Sequence, residues 1–444
     1  MGAISVIGCG YLGAVHAACM ADLGHHVVGV ETDAERLAAL AAGRAPFHEP
    51  GFDELLARAV ASGRLRFTAD IADAADARVH FLCVGTPQRP DGGAADLTYV
   101  DTAFEALLPH LRAHEAGRPA LVVGKSTVPV GTAERLADRL AEATGGAATL
   151  LWNPEFLREG FAIQDTVSPD RIVYGLPPGE AGDVARETLD AVYADALGRG
   201  IPRLTTDYAT AQLVKVAANS FLATKISFIN AMAELCEASG GDVTELAQAI
   251  GYDERIGPKF LRAGLGFGGG CLPKDIRAFM ARAGELGADE ALTFLREVDA
   301  VNLRRRAHAV NLAIAACDGD VSGRRITVLG ASFKPDSDDV RDSPALAVAS
   351  MLHERGADVV VTDPAALENV RRVRPLLPVE PSLEAALSGA ELVLLATEWR
   401  EYLALDPVAA GALAARRSIL DCRNALDPVA WRSAGWTYKA MGRS

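Results

Sequence analysis

Long apolar runs, paired cysteines and an excess of basic side chains are all missing from this sequence of 444 residues. No run approaches the ~20 consecutive apolar residues that a membrane-spanning helix needs, so we expect no membrane span. The seven cysteines show no CxxC spacing, and an odd, unpatterned set is typical of reduced thiols in the cytoplasm. The formal net charge of −14 argues against a general nucleic-acid binder, which needs a basic face.

Metal-binding spacings are missing as well. The nine histidines form no HExxH or similar motif, so we predict no metal site. What remains is an ordinary globular composition, with 50% hydrophobic and 23% charged residues. A chain of this length has room for two or three domains with sizeable cores. We therefore expect a globular protein of the cytoplasm.

Short apolar runs alternate with alanine-rich helical stretches over the first part of the chain. Buried strands are predicted at ISVIG, HVVGVE, VHFLCVG, PALVVGKST and ATLLWNP. Strands that alternate with helices are typical of a parallel sheet with helices on both faces. This pattern defines a first domain over residues 1–200.

The middle of the chain is predicted to be helical. From Tyr208 the helical spacing continues without proline as far as the glycine pair at 240–241. Strand patterns return later, at RRITVLG, ADVVVTDP, AELVLLATEW and RSILDCRN. The predicted fold is α/β, with two Rossmann-like, doubly wound parallel sheets in domains 1–200 and 311–444, joined by a helical central section, 201–310, with one long helix.

The motif GCGYLG forms a GxGxxG turn between the first predicted strand and helix. Gly8 permits the tight turn, Gly10 lets the backbone approach a pyrophosphate, and Gly13 allows close packing of helix on strand. Glu31 ends the second strand, where a carboxylate binds a ribose 2′-hydroxyl. FAD uses the same fingerprint, but Glu31 favours NAD over NADP, and Arg36 nearby weakens that preference slightly.

The second α/β unit has a different turn. Gly330 stands alone between the strand and the SFKPD segment that follows. A turn with a single glycine is a poor dinucleotide site, so we predict a nucleotide of another kind there.

Cys271 occupies an unusual context, FGGGCLPKD. Pro273 suits the first turn of a helix, which would place the thiol just ahead of a helix N-terminus and beside Lys274. Both features lower a thiol pKa, and the glycines at 268–270 remove side chains that would block access. The sequence predicts a nucleophile, with a buried structural cysteine as the alternative.

Two further pairs of polar residues have a spacing of four. Lys215 and Asn219 share one face of the predicted long helix, where two donors can stabilise an oxyanion; a solvated lysine and a chance asparagine are the alternative. Glu155 and Glu159 follow a strand end in NPEFLREG, at the edge where open sheets bind ligands. One of these carboxylates is a candidate acid–base group, and helix capping is the alternative.

Seven motifs, in order along the chain, together resemble the UDP-glucose/GDP-mannose dehydrogenase family. They are GCGYLG, VGTP, KSTVPVGT, NPEFLREG, KVAANSFLATKISFINAMAELCE, GFGGGCLPKD and FKPDSDDVRDSP. The resemblance covers essentially the whole chain, and FLRAGLGFGGGC is nearer to the members that oxidise UDP-glucose than to those that take GDP-mannose or N-acetyl sugars.

The resemblance implies a four-electron oxidation of a sugar C6 hydroxyl, from UDP-glucose to UDP-glucuronate, with NAD and water. Cys271 would hold the sugar first as a thiohemiacetal and then as a thioester. Lys215 and Asn219 would stabilise the oxyanions, and Asp275 would position or activate water. Glu155, with Thr127 through a water, would be the acid–base group.

The resemblance also implies binding positions and an assembly. The implied sugar-nucleotide positions are Glu155, Phe156, Leu157, Lys215, Asn219, Arg255, Phe260, Gly268, Phe333, Lys334 and Arg423. The implied cofactor positions are Gly8, Gly10, Tyr11, Leu12, Gly13, Glu31, Arg36, Thr86, Thr127, Glu159, Lys274 and Arg341. A homodimer or higher homo-oligomer is implied through the long central helix, with Arg255 reaching a neighbour's site.

Two positions depart from the family pattern. Glu31 stands where Asp is commoner, and Cys422 stands where Gly is usual, which bears on the role of Arg423. Three alternatives stay open: the same chemistry on a dTDP-, GDP- or N-acetyl-sugar nucleotide, a two-electron hydroxyacid or 6-phosphogluconate type of dehydrogenase, and a non-enzymatic nucleotide-sugar sensor.

Overall fold

A computed structural model describes residues 3–114 and 117–443, and these residues form two compact units. Unit one comprises the chain up to Ala218 together with Arg277–Gly287. Unit two comprises Asn219–Ile276 and the chain from Ala288 onward. Two helices contribute residues to both units: α9 (Tyr208–Ser239) and α11 (Leu272–Glu285).

Unit one contains the dinucleotide-type pattern predicted from the sequence. Its strands are β1 (Ala3–Ile7), β2 (His26–Val30), β3 (Leu65–Thr68), β4 (Val79–Leu82), β5 (Ala120–Gly124), β6 (Ala148–Trp152), β7 (Ile172–Gly175) and β8 (Arg203–Thr206). Its helices are α1 (Tyr11–Asp22), α2 (Ala34–Ala41), α3 (Phe52–Ala61), α4 (Thr98–Leu107), α5 (Thr132–Thr144), α6 (Ala162–Val167), α7 (Glu180–Val192) and α8 (Ala194–Gly198).

The eight strands of unit one form one sheet in the order β3-β2-β1-β4-β5-β6-β7-β8. Every neighbouring pair is parallel except β6 and β7, which meet antiparallel at Trp152 and Gly175. The predicted parallel sheet is therefore confirmed apart from that reversal. β8 extends the sheet to Thr206, inside the segment predicted to be helical.

Unit two contains the second predicted sheet. Its strands are β9 (Arg325–Leu329), β10 (Asp358–Thr362), β11 (Leu392–Leu395), β12 (Ser418–Asp421) and β13 (Thr437–Ala440). They are all parallel, in the order β10-β9-β11-β12-β13. The other helices of this unit are α10 (Val243–Gly251), α12 (Phe294–Ala316), α13 (Pro344–His353), α14 (Leu367–Val373), α15 (Leu383–Leu387), α16 (Arg400–Leu403), α17 (Pro407–Leu413) and α18 (Pro428–Ser433).

The long helix α9 has no internal proline or glycine and stops where glycine permits a left-handed turn. Gly240 follows its last residue with φ of +80°, a conformation that ends helices. Over the described ranges, no helix combines the length and the apolar character that a bilayer crossing needs.

Apolar side chains cover both faces of each sheet, which explains why the strands are nearly continuous apolar runs. In unit one the two buried clusters include Ile4, Phe81 and Leu151 on one side and Val122, Leu150 and Trp152 on the other. In unit two the corresponding clusters include Val328 and Leu394 against Leu395 and Trp431. Because both faces are covered, the polar side chains of a binding site have to come from the loops at the strand ends.

Buried histidines make unit one sensitive to acid. His80 in β4 is 1% exposed, its Nδ1 hydrogen-bonds the Oγ of Ser5 at 2.9 Å, and burial lowers its pKa from 6.5 to about 4. The unfolded chain binds a proton at this residue below pH ~6.5, whereas the folded chain does so only near pH 4. Stability is therefore lost as the pH falls through that window, by on the order of 3 kcal/mol.

We expect His80→Gln to flatten the fall of the melting temperature between pH 6.5 and 4, because Gln keeps a partner for Ser5 but does not titrate. Differential scanning fluorimetry across this pH range checks the slope. His26→Gln is the matched control, since His26 is exposed. Equal slopes for wild type and His80→Gln would contradict the assignment.

Candidate active site

The first glycine turn leaves open the space that a dinucleotide needs. Gly8 has φ of +86°, and a Cβ there would lie 2.6 Å from Cγ1 of Val84. A Cβ on Gly13 would lie 2.0 Å from the carbonyl oxygen of Gly8, so α1 packs closely only with glycine. A Cβ on Gly10 would meet no described atom within 4 Å, and no side chain caps the N-terminus of α1. This turn fits a pyrophosphate bound by backbone N–H groups.

The glycine turn of unit two is already filled by a protein carboxylate. Asp363 follows β10 and is 4% exposed. Its Oδ2 accepts the N–H groups of Ala331 at 2.7 Å and Ser332 at 3.0 Å. These donors lie just after Gly330, where a phosphate would need them. This arrangement supports the prediction that the Gly330 turn is a poor dinucleotide site.

Glu31 lies at the end of β2 and is 5% exposed. Its Oε1 accepts the N–H of Asp33 at 2.9 Å, and its Oε2 pairs with the guanidinium of Arg36 at 3.3 Å. Arg36 could otherwise bind a 2′-phosphate, but Glu31 neutralises its charge. The carboxylate of Glu31 also repels a 2′-phosphate. Both features favour a cofactor with a free 2′-hydroxyl.

The ends of β4, β5 and β6 are tied together by hydrogen bonds. Thr86 donates its hydroxyl to the carbonyl oxygen of Thr127 at 2.7 Å, which joins two predicted cofactor positions. Lys125 is buried and donates to Oδ1 of Asn153 at 3.0 Å and to the hydroxyl of Tyr193 at 3.3 Å. Sequence reasoning missed this network, although the polar pair KS inside an apolar strand pattern is a signal for it.

Glu155 and Lys215 form an ion pair within unit one. Nζ of Lys215 lies 2.9 Å from Oε1 of Glu155, with side-chain exposures of 6% and 13%. The other carboxylate oxygen accepts the N–H of Leu157 at 2.6 Å. The ring of Phe156 packs under Nζ of Lys215 at 5.7 Å and under the guanidinium of Arg171 at 3.9 Å. Two of the predicted catalytic side chains therefore do meet, in a partly desolvated pocket.

Tyr11 connects the glycine turn to the loop that carries Glu155 and Glu159. Its hydroxyl donates to Glu49 and accepts the N–H of Gly160 at 3.1 Å. Burial, together with the charges of Glu49 and Glu159, holds the pKa of Tyr11 well above its usual value. Leu12, in contrast, packs against the core. Sequence reasoning missed Glu49, because one acidic residue in the segment HEPG carries no pattern of its own.

Cys271 is the exposed member of the seven cysteines, none of which forms a disulfide. It stands immediately before α11, which begins at Leu272. Asp275, in the first turn, is 2% exposed. Its Oδ2 accepts Nδ2 of Asn219 at 2.6 Å, and its Oδ1 accepts Nζ of Lys274 at 2.6 Å. Three more of the predicted residues are thus brought together in unit two.

The other six cysteines share a different environment. Burial raises the pKa of every one of these thiols, to about 12 for Cys19 and Cys83. The same direction holds for Cys9, Cys236, Cys317 and Cys422. Because the thiolate is the nucleophile, exposure singles out Cys271.

The glycines before Cys271 have a packing role that the sequence did not reveal. A Cβ on Gly268 would lie 2.5 Å from the carbonyl oxygen of Asp342, and one on Gly269 would lie 2.9 Å from the ring of Phe333. A Cβ on Gly270 would lie 2.3 Å from the guanidinium carbon of Arg341. The expectation that these glycines clear an approach to the thiol is thus incomplete, since they seat the loop on the segment 333–342.

Buried polar side chains from two helices hold the same loop. Asn302 is fully buried in α12, and its side-chain amide bonds both the N–H and the carbonyl of Phe267, at 2.7 and 3.0 Å. Asn230 in α9 accepts the N–H of Gly264 at 2.9 Å, and Arg305 donates to the carbonyl of Gly264 at 3.2 Å. These residues were also missed, although polar residues three apart in a helix that is otherwise partly apolar are a detectable signal.

The guanidinium of Arg423 forms hydrogen bonds with three backbone carbonyls. Its guanidinium donates to Ala396 at 2.6 Å and to Gly266 and Phe333 at 3.3 Å, and it pairs with Glu398 at 3.4 Å. The neighbouring Cys422 is fully buried in the core, and its carbonyl accepts the N–H of Leu265. Arg423 therefore clamps the loop and the strand ends of unit two together.

The remaining predicted positions of unit two are more open. Phe260 is 41% exposed with φ of +65°, a conformation that is costly for a bulky residue. The Arg255 side chain is 88% exposed and pairs with Asp253. Arg341 bonds Asp339, and Nζ of Lys334 lies 5.5 Å from the ring of Phe333. Over the described residues, no group of three or more potential ligands is arranged to hold a metal ion.

Three family models match consecutive parts of the chain. All belong to the UDP-glucose/GDP-mannose dehydrogenase family: the NAD binding domain matches residues 2–197, the central domain 209–304, and the UDP binding domain 327–428. Together these matches span most of the sequence.

Relatives of known name match over the full length. The chain is 42% identical to the UDP-glucose 6-dehydrogenase of Rhizobium meliloti over 443 residues, or 99% of each chain. It is 38% identical to that of Pseudomonas aeruginosa over 452 residues, or 99% of this chain and 97% of the relative. It resembles the structure of a UDP-glucose dehydrogenase from Pyrobaculum islandicum with a TM-score of 0.89 and 40% identity, covering 100% of this chain and 98% of the other.

The pairing of Glu31 with Arg36 generates a prediction about cofactor choice. Glu31→Gln should raise kcat/KM for NADP relative to NAD by about tenfold or more, because it removes the repulsion of a 2′-phosphate and releases Arg36. Initial rates of NADH and NADPH formation measure the ratio. Glu35→Gln, on the exposed side of α2, is the matched control, and an unchanged ratio in Glu31→Gln would contradict the interpretation.

Proposed function

This chain belongs to the UDP-glucose/GDP-mannose dehydrogenase family, and we propose on that basis that it oxidises the C6 hydroxyl of UDP-glucose to the carboxylate of UDP-glucuronate with NAD. The observation that carries the proposal is the contrast at the start of α11. Cys271 is exposed there, whereas Asp275 in the first turn is buried and bonded to Asn219 and Lys274. A structural cysteine needs no such surroundings.

The first oxidation requires a base and an oxyanion donor. Glu155 takes the proton of the C6 hydroxyl, through a water held near Thr127, and its ion pair with Lys215 holds the carboxylate in place. Lys215 and Asn219 then donate to the oxygen that carries the developing charge. NAD, when bound at the turn Gly8–Gly13, would supply the hydride acceptor for both oxidations.

The thiol of Cys271 connects the two oxidations. Its sulfur adds to the aldehyde carbon and forms a thiohemiacetal, so the reactive intermediate stays attached while the cofactor is exchanged. The second hydride loss leaves a thioester. Water, positioned by Asp275, then displaces the sulfur and releases the acid. The sum consumes one alcohol, two NAD⁺ and one water, and it yields one carboxylate, two NADH and three protons.

Each unit binds one of the two ligands in this proposal. In unit one the open turn at Gly8–Gly13, with Glu31 and Thr86, holds NAD. In unit two the loop around Gly268, with Phe333, Lys334 and the Arg423 clamp, holds the nucleotide sugar. The three-part division into 1–200, 201–310 and 311–444 assigns one role to each part: cofactor, catalysis and assembly, and sugar nucleotide.

A second copy of the chain covers the exposed apolar face of α9 in this proposal. Phe221, Phe228 and Leu235 are spaced by seven residues and are 67%, 49% and 60% exposed. Seven-residue spacing places side chains on one stripe of a helix, and an apolar stripe of this kind is unusual on a free surface. The homodimer works in the cytoplasm, where cysteine thiols stay reduced.

Counting the reduced cofactor tests the proposed chemistry. Purified protein with limiting UDP-glucose should give about two NADH per sugar, because the thioester route carries the aldehyde through a second oxidation. Cys271→Ser should lower turnover by at least about a hundredfold. Absorbance at the NADH band with product analysis checks both.

Three outcomes would count against this function. A ratio near one, or full turnover by Cys271→Ser, indicates a two-electron dehydrogenase. Oxidation of a dTDP-, GDP- or N-acetyl-hexose in preference to UDP-glucose reassigns the substrate. Binding without any NADH indicates a sensor.

The stripe on α9 gives a separate prediction about assembly. Phe228→Asp should dissociate the homodimer, because a carboxylate at the centre of an apolar contact must be desolvated without a partner. Light scattering after size exclusion measures the mass. Leu286→Asp, at an exposed apolar position outside the stripe, is the control, and a wild-type monomer would contradict the proposal.

A further inference from the structure

Glu49 is a buried carboxylate that accepts hydrogen bonds from Tyr11, Gly160 and Ala162 in unit one. It is 5% exposed. One oxygen accepts the N–H of Ala162 at 2.8 Å, and the other accepts the N–H of Gly160 at 2.6 Å and the hydroxyl of Tyr11. Among the described residues, no lysine or arginine forms an ion pair with it, so backbone and hydroxyl donors alone satisfy the charge.

These contacts fix one end of the loop 154–161. Gly160 and Ala162 lie where the loop ends and α6 begins. The other end is fixed by Asn153, which is 2% exposed and donates Nδ2 to the carbonyl of Val173 at 2.9 Å. Between the two anchors the loop carries Glu155. A carboxylate placed on an irregular loop keeps its position only if both ends of that loop are held.

The anchor is shared with the residue that begins α1. The ring of Tyr11 packs on Phe47 at a centroid distance of 4.7 Å, and its hydroxyl also accepts the N–H of Gly160 at 3.1 Å. Gly160 therefore has two acceptors, the carboxylate of Glu49 and the hydroxyl of Tyr11. Burying a carboxylate without a cation costs free energy. If the position only had to fill space in the core, an apolar residue would destabilise the fold less.

We propose that Glu49 is a positioning residue. It fixes the loop 154–161 against α1 and so keeps the carboxylate of Glu155 next to Nζ of Lys215. The inference has two halves. The catalytic half, that Glu49 supports turnover through Glu155, rests on the proposed function, in which Glu155 acts as the base. The structural half, that Glu49 anchors the loop 154–161, does not depend on that function.

Hydrogen–deuterium exchange on the full chain tests the structural half. Glu49→Ala should speed exchange of peptides that cover 157–165 by about tenfold or more, because two amide donors lose their acceptor, while the rest of unit one is unaffected. Glu54→Gln, on the exposed face of α3, is the matched control. Unchanged exchange in 157–165, or a uniform rise across unit one, overturns the proposal.

Kinetics of a double-mutant cycle test the catalytic half. In Glu49→Gln the amide oxygen still accepts from Ala162, and Gly160 keeps the hydroxyl of Tyr11, so kcat should recover much of what Glu49→Ala loses. In the double variant Glu49→Gln with Tyr11→Phe, the N–H of Gly160 loses both acceptors. Its fall in kcat should exceed the product of the two single falls by about fivefold or more, with KM for UDP-glucose changed less than kcat.

Additive single effects, or a wild-type kcat in Glu49→Ala, would overturn the positioning role. If the wild type forms no NADH from UDP-glucose, the proposed function is wrong instead, and the exchange measurement still decides whether Glu49 holds the loop.

Discussion

A polar group removed from water must find a hydrogen-bond partner inside the protein, and in this chain many such groups find it in the backbone of reactive loops. In unit one Glu49 accepts the N–H of Gly160 at one end of the loop that carries Glu155, and Asn153 at the other end donates to the carbonyl of Val173. In unit two Asn302 and Arg305 bond the loop that leads to Cys271. Each bond is worth only about 1 kcal/mol net, but an unmade one costs more, so the loops have few alternative positions.

The same requirement also distinguishes the glycine turns of the two sheets. A parallel strand that ends at a glycine turn presents free N–H groups to whatever anion lies nearby. At Gly10 that position is open, whereas after Gly330 the carboxylate of Asp363 already occupies the donors. The two glycine turns therefore differ in the backbone N–H groups that they leave available to a ligand.

Much of the fold could be predicted because its signals are local. Strand and helix periods, the glycine turn and Glu31 all lie within short stretches, and the structure confirms the two α/β sheets. Four strands were missed. β3, β8 and β13 mix polar with apolar residues, as LRFT, RLTT and TYKA, and the antiparallel entry of β7 leaves no mark in the sequence.

The candidate site was harder to predict, because its supporting contacts are distant in sequence. Gly160 meets Glu49 across 111 residues and Phe267 meets Asn302 across 35. The glycines at 268–270 show the same limit: their local context indicates access to a thiol, but their tight contacts with Asp342, Phe333 and Arg341 appear only in three dimensions. Cys271 could be singled out from the sequence because its motif is contiguous, and its role stays a prediction.

The central claim is that Cys271 carries the sugar covalently between two oxidations. Acid quenching of the enzyme during turnover with UDP-glucose and NAD, followed by peptide mass spectrometry, tests it most directly. We expect a UDP-glucuronyl thioester on the peptide that contains Cys271, and we expect hydroxylamine to remove it. Steady NADH formation with an unmodified Cys271 peptide at every quench time would contradict it.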